Sequence, residues 1–263
     1  ATSEEIAVKA LELIDVEYEV LEPVINPEEG AKPEAPLLHP DLGEYNVANF
    51  IFPTPGTNIS NHFKLRKGDV EGAFEKCTTV VERKFRVPHI QHVPIETHIA
   101  TAQWDETGEI TLWASSQSPF AQRNLIAQAL GVSQSSVRVI APKIGGGFGC
   151  KAGVSMEALV VAIASKTKGR PVKLALTREE EFYTAFVRQE LIGYYKMGCD
   201  ENGKILAMED TYYWGGGAYT EYGVNVPRAA GYSCTGPYEV HNVKADSICV
   251  YTNHPVGGAY RGF

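Results

Sequence analysis

The run Gly145-Gly146-Gly147-Phe148-Gly149-Cys150-Lys151 places four glycines in five positions, interrupted by one aromatic and closed by one cation. Glycine lets backbone N–H groups approach a ligand, or adopt φ > 0, where a Cβ would clash. The run therefore reads as a backbone cradle for an anionic group. It fits neither familiar phosphate loop. G-x-G-x-x-G begun at Gly145 needs glycine where Cys150 stands, and a P-loop needs Ser or Thr after a Gly-Lys pair. The plain alternative is a tight turn between a strand and a helix.

Two other residue types could do chemistry. His89, His92 and His98 fall within ten residues, with Glu96 among them. Their spacing matches neither H-E-x-x-H nor a two-pair finger, and a strand-like path sends His89 and His92 to opposite faces, which argues against a shared metal. The cysteines, Cys77, Cys150, Cys199, Cys234 and Cys249, are odd in number and never form C-x-x-C. That excludes a local iron–sulfur or structural zinc signature and argues against a disulfide framework. Most read as small core residues. Cys150, beside the glycines, is the one candidate reactive thiol.

The elements that must position these residues follow from pattern. Val80 to Val87, Ile110 to Ala114 and Val137 to Ala141 read as strands. Between the last two, Ser118-Pro119 suits an N-cap and first helical position, Leu125, Ile126, Ala129 and Leu130 form an apolar stripe, and Gly131 suits C′. The order is strand, helix, strand, glycine loop. A second helix is expected after the loop, with Met156, Leu159, Val160 and Ile163 facing inward. Val172 to Leu176 reads as a further strand, and Thr177 with Glu180 as a capping box. Leu191 to Met197 and Ile205 to Trp214 read as a hairpin turning at Asn202-Gly203. Upstream, Thr2 and Glu5 resemble a capping box, Ile6, Ala10, Leu13 and Ile14 share a helical face, and Val16, Tyr18 and Val20 alternate as in a strand. Pro23 to about Phe63 is proline-rich and reads as an ordered crossing segment.

Composition sets the context. The chain has 263 residues, 44% hydrophobic and 21% charged, with net charge −8. It can bury a core, and without a cationic stripe it suits neither nucleic acid nor an anionic membrane. No apolar run approaches the ~20 residues that span a bilayer, and the first residues lack the order of a signal peptide, so the cytoplasm is the expected compartment.

Taken together, His89 to His98, Ser116-Gln117, the glycine loop and Ala259-Tyr260-Arg261-Gly262-Phe263 resemble the molybdopterin-binding subunit of the xanthine dehydrogenase and aldehyde oxidase family of molybdenum hydroxylases. The resemblance covers nearly the whole chain. It implies an α+β fold of mixed sheets with packed helices: residues 1–25 as the end of a hammerhead-like domain, 26–64 as the proline-rich crossing, and 65–263 as the first part of a molybdenum-cofactor-binding domain. On this reading the chain starts and stops inside domains.

The resemblance also implies roles. Gln117 lies beside the molybdenum and the pterin dithiolene, Gly146, Gly147, Phe148 and Gly149 bring the loop to the metal's oxygen ligands, and Arg261 contacts the cofactor region. Neutral amide donors can hydrogen-bond oxo ligands without displacing them, and arginine can fork onto oxyanions. Phe263 packs against a flat substrate. Glu96-Thr97-His98 supports the floor of the site. By their own context Asn253 and His254 read as loop-supporting rather than metal-ligating. No side chain here ligates the metal directly, and the base, a glutamate in a later Gly-Glu motif, lies C-terminal to Phe263. Iron–sulfur clusters and FAD are expected on partner subunits or domains, in a dimer of heteromers.

Departures narrow the substrate. Xanthine-oxidising members have glutamate where Ala152 stands, and the carbon monoxide-oxidising branch has cysteine where Gly262 stands. Xanthine itself is disfavoured, and an aldehyde, an aromatic N-heterocycle or another purine is the better expectation, with the isolated chain inactive. Two alternatives stay open: a scaffold of the same fold that has lost the cofactor, and a hydrolase using Cys150 with a histidine.

Overall fold

Ile110, Leu112 and Ala114 alternate with Thr111 and Trp113, giving one apolar face that is fully buried. In the computed structural model, which describes residues 1–262, this strand is central to a four-stranded sheet. It pairs antiparallel with Ile99–Trp104, which pairs antiparallel with Val172–Ala175, and parallel with Val137–Ile140. A parallel pair needs a crossover. Helix Pro119–Leu130 supplies it, starting at Pro119 and ending at Gly131, whose φ of 67° is left-handed. Helix Glu157–Ala164 packs on the same sheet and on the first helix.

Both helices are rotated from the faces expected of them. Leu125 and Ala129 are exposed in the first, Leu159 and Ile163 in the second. The inward faces are instead Gln122, Ile126 and Ala127, and Glu157, Val160, Val161 and Ala164. The cause is a buried polar pair. Gln122 Nε2 donates to Glu157 Oε1 at 3.0 Å and to the Gly153 carbonyl at 2.8 Å, and Glu157 Oε2 accepts from Ser155 and Met156 N–H. Apolar periodicity cannot register an inward-facing Gln and Glu that hydrogen-bond one another.

The second sheet has five strands in the order Ile59–Lys67, Asn242–Tyr251, Ile205–Gly217, Leu191–Cys199, Thr79–Val87. Its hairpin forms as expected: Leu191–Cys199 runs antiparallel to Ile205–Gly217, and Asp200 Oδ1 accepts from Asn202 and Lys204 N–H in the turn. Three two-residue strands, Ile90–Gln91, Val187–Arg188 and Gly257–Gly258, make a small third sheet. That sheet draws the histidine segment to the glycine-dense C-terminal loop.

Two upstream expectations are corrected. Helix Glu4–Leu11 is capped by Ser3, whose Oγ accepts from Ile6 N–H, rather than by Thr2. Val16 to Val20 is not a strand. Every residue from 1 to 23 is exposed, so alternation there has no neighbouring strand to pair with and no face to bury. The proline-rich crossing is ordered: Asn58 Nδ2 donates to the carbonyls of Gly30 and Pro36, and Val24 exchanges two 2.7 Å hydrogen bonds with Asn253. Among the described residues no helix is long and apolar enough to cross a membrane.

Candidate functional site

Gln117 follows the carboxyl end of strand Ile110–Ala114, and the glycine loop follows that of its parallel neighbour Val137–Ile140. Parallel strands open a crevice at their carboxyl ends, and the crossover helix brings these two ends side by side. The Gln117 main chain donates to the Lys151 carbonyl at 2.9 Å, while its Oε1 accepts from Gly149 N–H at 2.9 Å and Lys151 N–H at 3.3 Å. Those two donors fix which end of the amide is oxygen. The Nε2 group has no acceptor among the described residues, and the side chain is exposed.

The loop closes on this amide because its residues lack side chains where it matters. A Cβ at Gly147 would lie 2.4 Å from Gln117 Oε1, and one at Gly149, whose φ is +113°, would lie 2.0 Å from the Ala259 carbonyl oxygen. Phe148 holds a φ of 53°, costly for a non-glycine residue, and its carbonyl accepts the Arg261 N–H at 2.9 Å. The N–H groups of Gly146, Gly147 and Phe148 meet no acceptor among the described residues. Three consecutive main-chain donors are thus left for a ligand.

Gln117, Gly147, Phe148, Gly149 and Arg261 line one open cavity of about 420 Å³, together with Ala152 and Ala259. Gly146 sits immediately before this lining, and Phe263 lies outside the described residues. The structure therefore brings together in space two segments more than a hundred residues apart in the chain.

The cation that closes the glycine run does not face the cavity. Lys151 is fully buried and its Nζ donates to Glu96, at 2.8 Å to the carbonyl and 2.8 Å to Oε2, which also accepts Gly145 N–H. Burial opposes ionisation of Glu96, but Lys151 and the Gly145 N–H outweigh it and hold the carboxyl below its usual range. The polar groups that the loop presents to the cavity are consequently main chain and amide.

Beneath the loop, His98 bridges Glu181 and the Cys150 carbonyl, at 2.8 Å from Nδ1 and 3.0 Å from Nε2, with all three side chains buried. Burial raises the Glu181 carboxyl while His98 lowers it further, the net shift being downward. Cys150 Sγ donates to the Gly147 carbonyl, and burial pushes its thiol up to about 12. A thiol held neutral is no nucleophile, so Cys150 is structural. His92 Nε2 lies 2.8 Å from the Ala259 carbonyl, and its ring stacks on Tyr260 at 4.5 Å, fixing the Arg261 segment from behind.

The Glu96–Lys151 pairing and Glu181 did not stand out by type. The signals were the lysine's place at the end of the glycine run, the Glu96-Thr97-His98 segment and, through the family resemblance, Ala152 and the segment that begins at Ala259.

Residues 51–263 match the molybdopterin cofactor-binding domain family. The chain is 33% identical to the nicotinate dehydrogenase large molybdopterin subunit of Eubacterium barkeri, across all of this chain and 58% of that protein. Among solved structures it superposes on the aldehyde oxidoreductase of Desulfovibrio gigas with a TM-score of 0.88 at 29% identity, covering 100% of this chain and 28% of the other. The quinoline 2-oxidoreductase of Pseudomonas putida 86 gives a TM-score of 0.83 at 30% identity, covering 100% and 32%. The chain thus spans between about a quarter and three fifths of the length of these relatives.

Proposed function

Since the chain belongs to the molybdopterin cofactor-binding domain family, we propose that Gln117, Gly146, Gly147, Phe148, Gly149 and Arg261 hold a molybdenum–pterin cofactor in a hydroxylase. The observation that carries this reading is the clamp of Gln117 Oε1 on Gly149 N–H, which leaves the Nε2 donor free beside an open cavity. The residues fit the group. Side chains are excluded where the loop meets Gln117 and Ala259, and unpaired main-chain donors suit its oxygen-rich face. When bound, the cofactor supplies two-electron redox chemistry by which a substrate carbon gains oxygen from water.

The chain's own part is to bind, orient and select. Gln117 Nε2 and the loop N–H groups donate without titrating, so their contribution does not change with pH. Arg261, anchored through its main chain to Phe148, offers a planar cation at the rim. Ala152 lines the cavity with a methyl group where a carboxylate would anchor a purine. That favours an aldehyde or an aromatic N-heterocycle as substrate. Relatives named for nicotinate, quinoline and aldehydes support that class, while others of similar identity are named a probable hypoxanthine oxidase and a probable xanthine dehydrogenase subunit.

Iron–sulfur and flavin centres on other domains or subunits would accept the electrons; the cysteine spacing of this chain suits no cluster. We place the base glutamate beyond Phe263 and the assembly, a dimer of heteromers, in the cytoplasm. Residues 1–25, exposed up to Pro23, suit the end of a hammerhead-like domain; 26–64 form the crossing, and 65–263 begin the cofactor domain.

The test is isotopic. The assembled protein is given an aldehyde and an N-heterocycle panel in ¹⁸O-enriched water, and products are weighed by mass spectrometry. Solvent label in a hydroxylated product supports the reading. A cofactor-loaded protein that turns over neither class, or incorporates oxygen only from O₂, overturns it.

A further inference from the structure

His89, Glu190 and His254 come from three separate segments: the turn after strand Thr79–Val87, the residue before strand Leu191–Cys199, and the loop ahead of Gly257–Gly258. Each offers one ligand atom, and the three atoms lie within 4.8 Å of one another. We propose that these side chains form a site for a divalent transition metal, separate from the cofactor cavity and of the two-histidine, one-carboxylate type.

The hydrogen-bond inventory is what singles out this cluster. His89 Nε2, Glu190 Oε1 and His254 Nδ1 are all buried, and none has a partner among the described residues. Buried polar atoms are nearly always satisfied, so three orphans in one cluster need an explanation. The nearby His98, Cys150 and Glu181 group shows the contrast: it is equally close, but its imidazole and carboxylate are already hydrogen-bonded. In the first cluster, His89 Nδ1 stands 4.0 Å from Glu190 Oε1, too far for a hydrogen bond, and the two rings lie 4.5 Å apart at 45°.

The donors suit zinc or a metal like it. Bonds of about 2.0–2.2 Å set two ligands of a tetrahedral ion about 3.4 Å apart, so the side chains would close by at most about 1.4 Å to share a shell. Glu190 supplies the single negative charge. Its other oxygen is held by Arg86 at 3.2 Å, which orients the carboxylate and leaves Oε1 facing the histidines. Gly215 leaves room for this: a Cβ there would come within 3.1 Å of Oε1.

His254 lines a separate cavity of about 670 Å³ that shares no residue with the one at Gln117. With three protein ligands, a fourth position is left open for water or a small ligand. A bound ion would tie the loop carrying Arg261 to two strand ends.

The test uses the assembled protein, purified without chelators, with transition metals measured alongside molybdenum. After removal of labile metal, Zn²⁺ is titrated and Tm recorded, and Co²⁺ is added as a spectroscopic probe. We expect about one zinc equivalent per chain, a zinc-dependent rise in Tm, and visible Co²⁺ bands of a nitrogen–oxygen site. His254→Ala and the conservative Glu190→Gln should each weaken Zn²⁺ at least tenfold; should His254→Ala not fold, Glu190→Gln and the wild-type titration decide. No rise in Tm at micromolar free zinc, or binding unchanged by Glu190→Gln, overturns the proposal.

Discussion

Gln117 Oε1 and Gly149 N–H, thirty-two residues apart in sequence, meet at 2.9 Å and hold a side-chain amide against a glycine loop. This contact turns the loop from a connection into a surface of donors, because it fixes the amide with its Nε2 group outward. Replacing Gln117 by Ala removes two hydrogen bonds from an exposed side chain, a loss of about 1–2 kcal/mol. Molybdenum content or turnover should fall at least tenfold while the protein stays folded. Parallel measurement of Tm and activity checks this; equal proportional loss of both would point to a purely structural amide.

Gly147 and Gly149 should behave differently when changed to alanine. The Gly147 Cβ meets the movable end of a side chain, 2.4 Å from Gln117 Oε1. Gly147→Ala should displace the amide and lower cofactor content with little change in stability. At Gly149 the Cβ meets main chain, 2.0 Å from the Ala259 oxygen, at a φ of +113°. Gly149→Ala should cost at least about 2–3 kcal/mol. Thermal denaturation of the two variants side by side checks the contrast.

The Glu96–Lys151 pair should be asymmetric. Lys151 is fully buried, whereas the Glu96 side chain is one third exposed. Glu96→Gln leaves a buried ammonium without its carboxylate and should cost about 2–4 kcal/mol, while Lys151→Met leaves a carboxylate that water can reach and should cost less. The Glu96 pKa is lowered on folding from 4.5, so its contribution is complete above about pH 4.5 and is lost as pH falls through the lower folded value. Acid denaturation of Glu96→Gln should lack that component, as stability measured against pH will show.

Cys150 should be inert to alkylation in the native protein between pH 7 and 8, since its thiol is buried and pushed up to about 12. Iodoacetamide labelling followed by peptide mapping checks this, and Cys150→Ala should keep activity. Rapid native labelling with loss of activity would revive a thiol mechanism.

Much of this was readable from residue order. The strand, helix, strand, glycine-loop succession is local and periodic, whereas the role of Gln117 at the loop came from the family resemblance. Gln122 and Glu157 were not readable, because buried polar partners break the apolar stripe that marks an inward face. The partner of Lys151 was hidden by distance, as Glu96 lies 55 residues away. The grouping of His89 with His254 depends on the five-stranded sheet and on the two-residue strands that fold the last loop back, elements too short to leave a pattern.

The most direct measurement is molybdenum and oxidised pterin per chain in the assembled protein, for wild type and for Gly147→Ala of matched Tm. Near-stoichiometric molybdenum and pterin in wild type, with both sharply reduced in Gly147→Ala, is the expected result. Absence of both from folded, assembled wild type, or equal content in the two proteins, would contradict the assignment of this loop as the cofactor cradle.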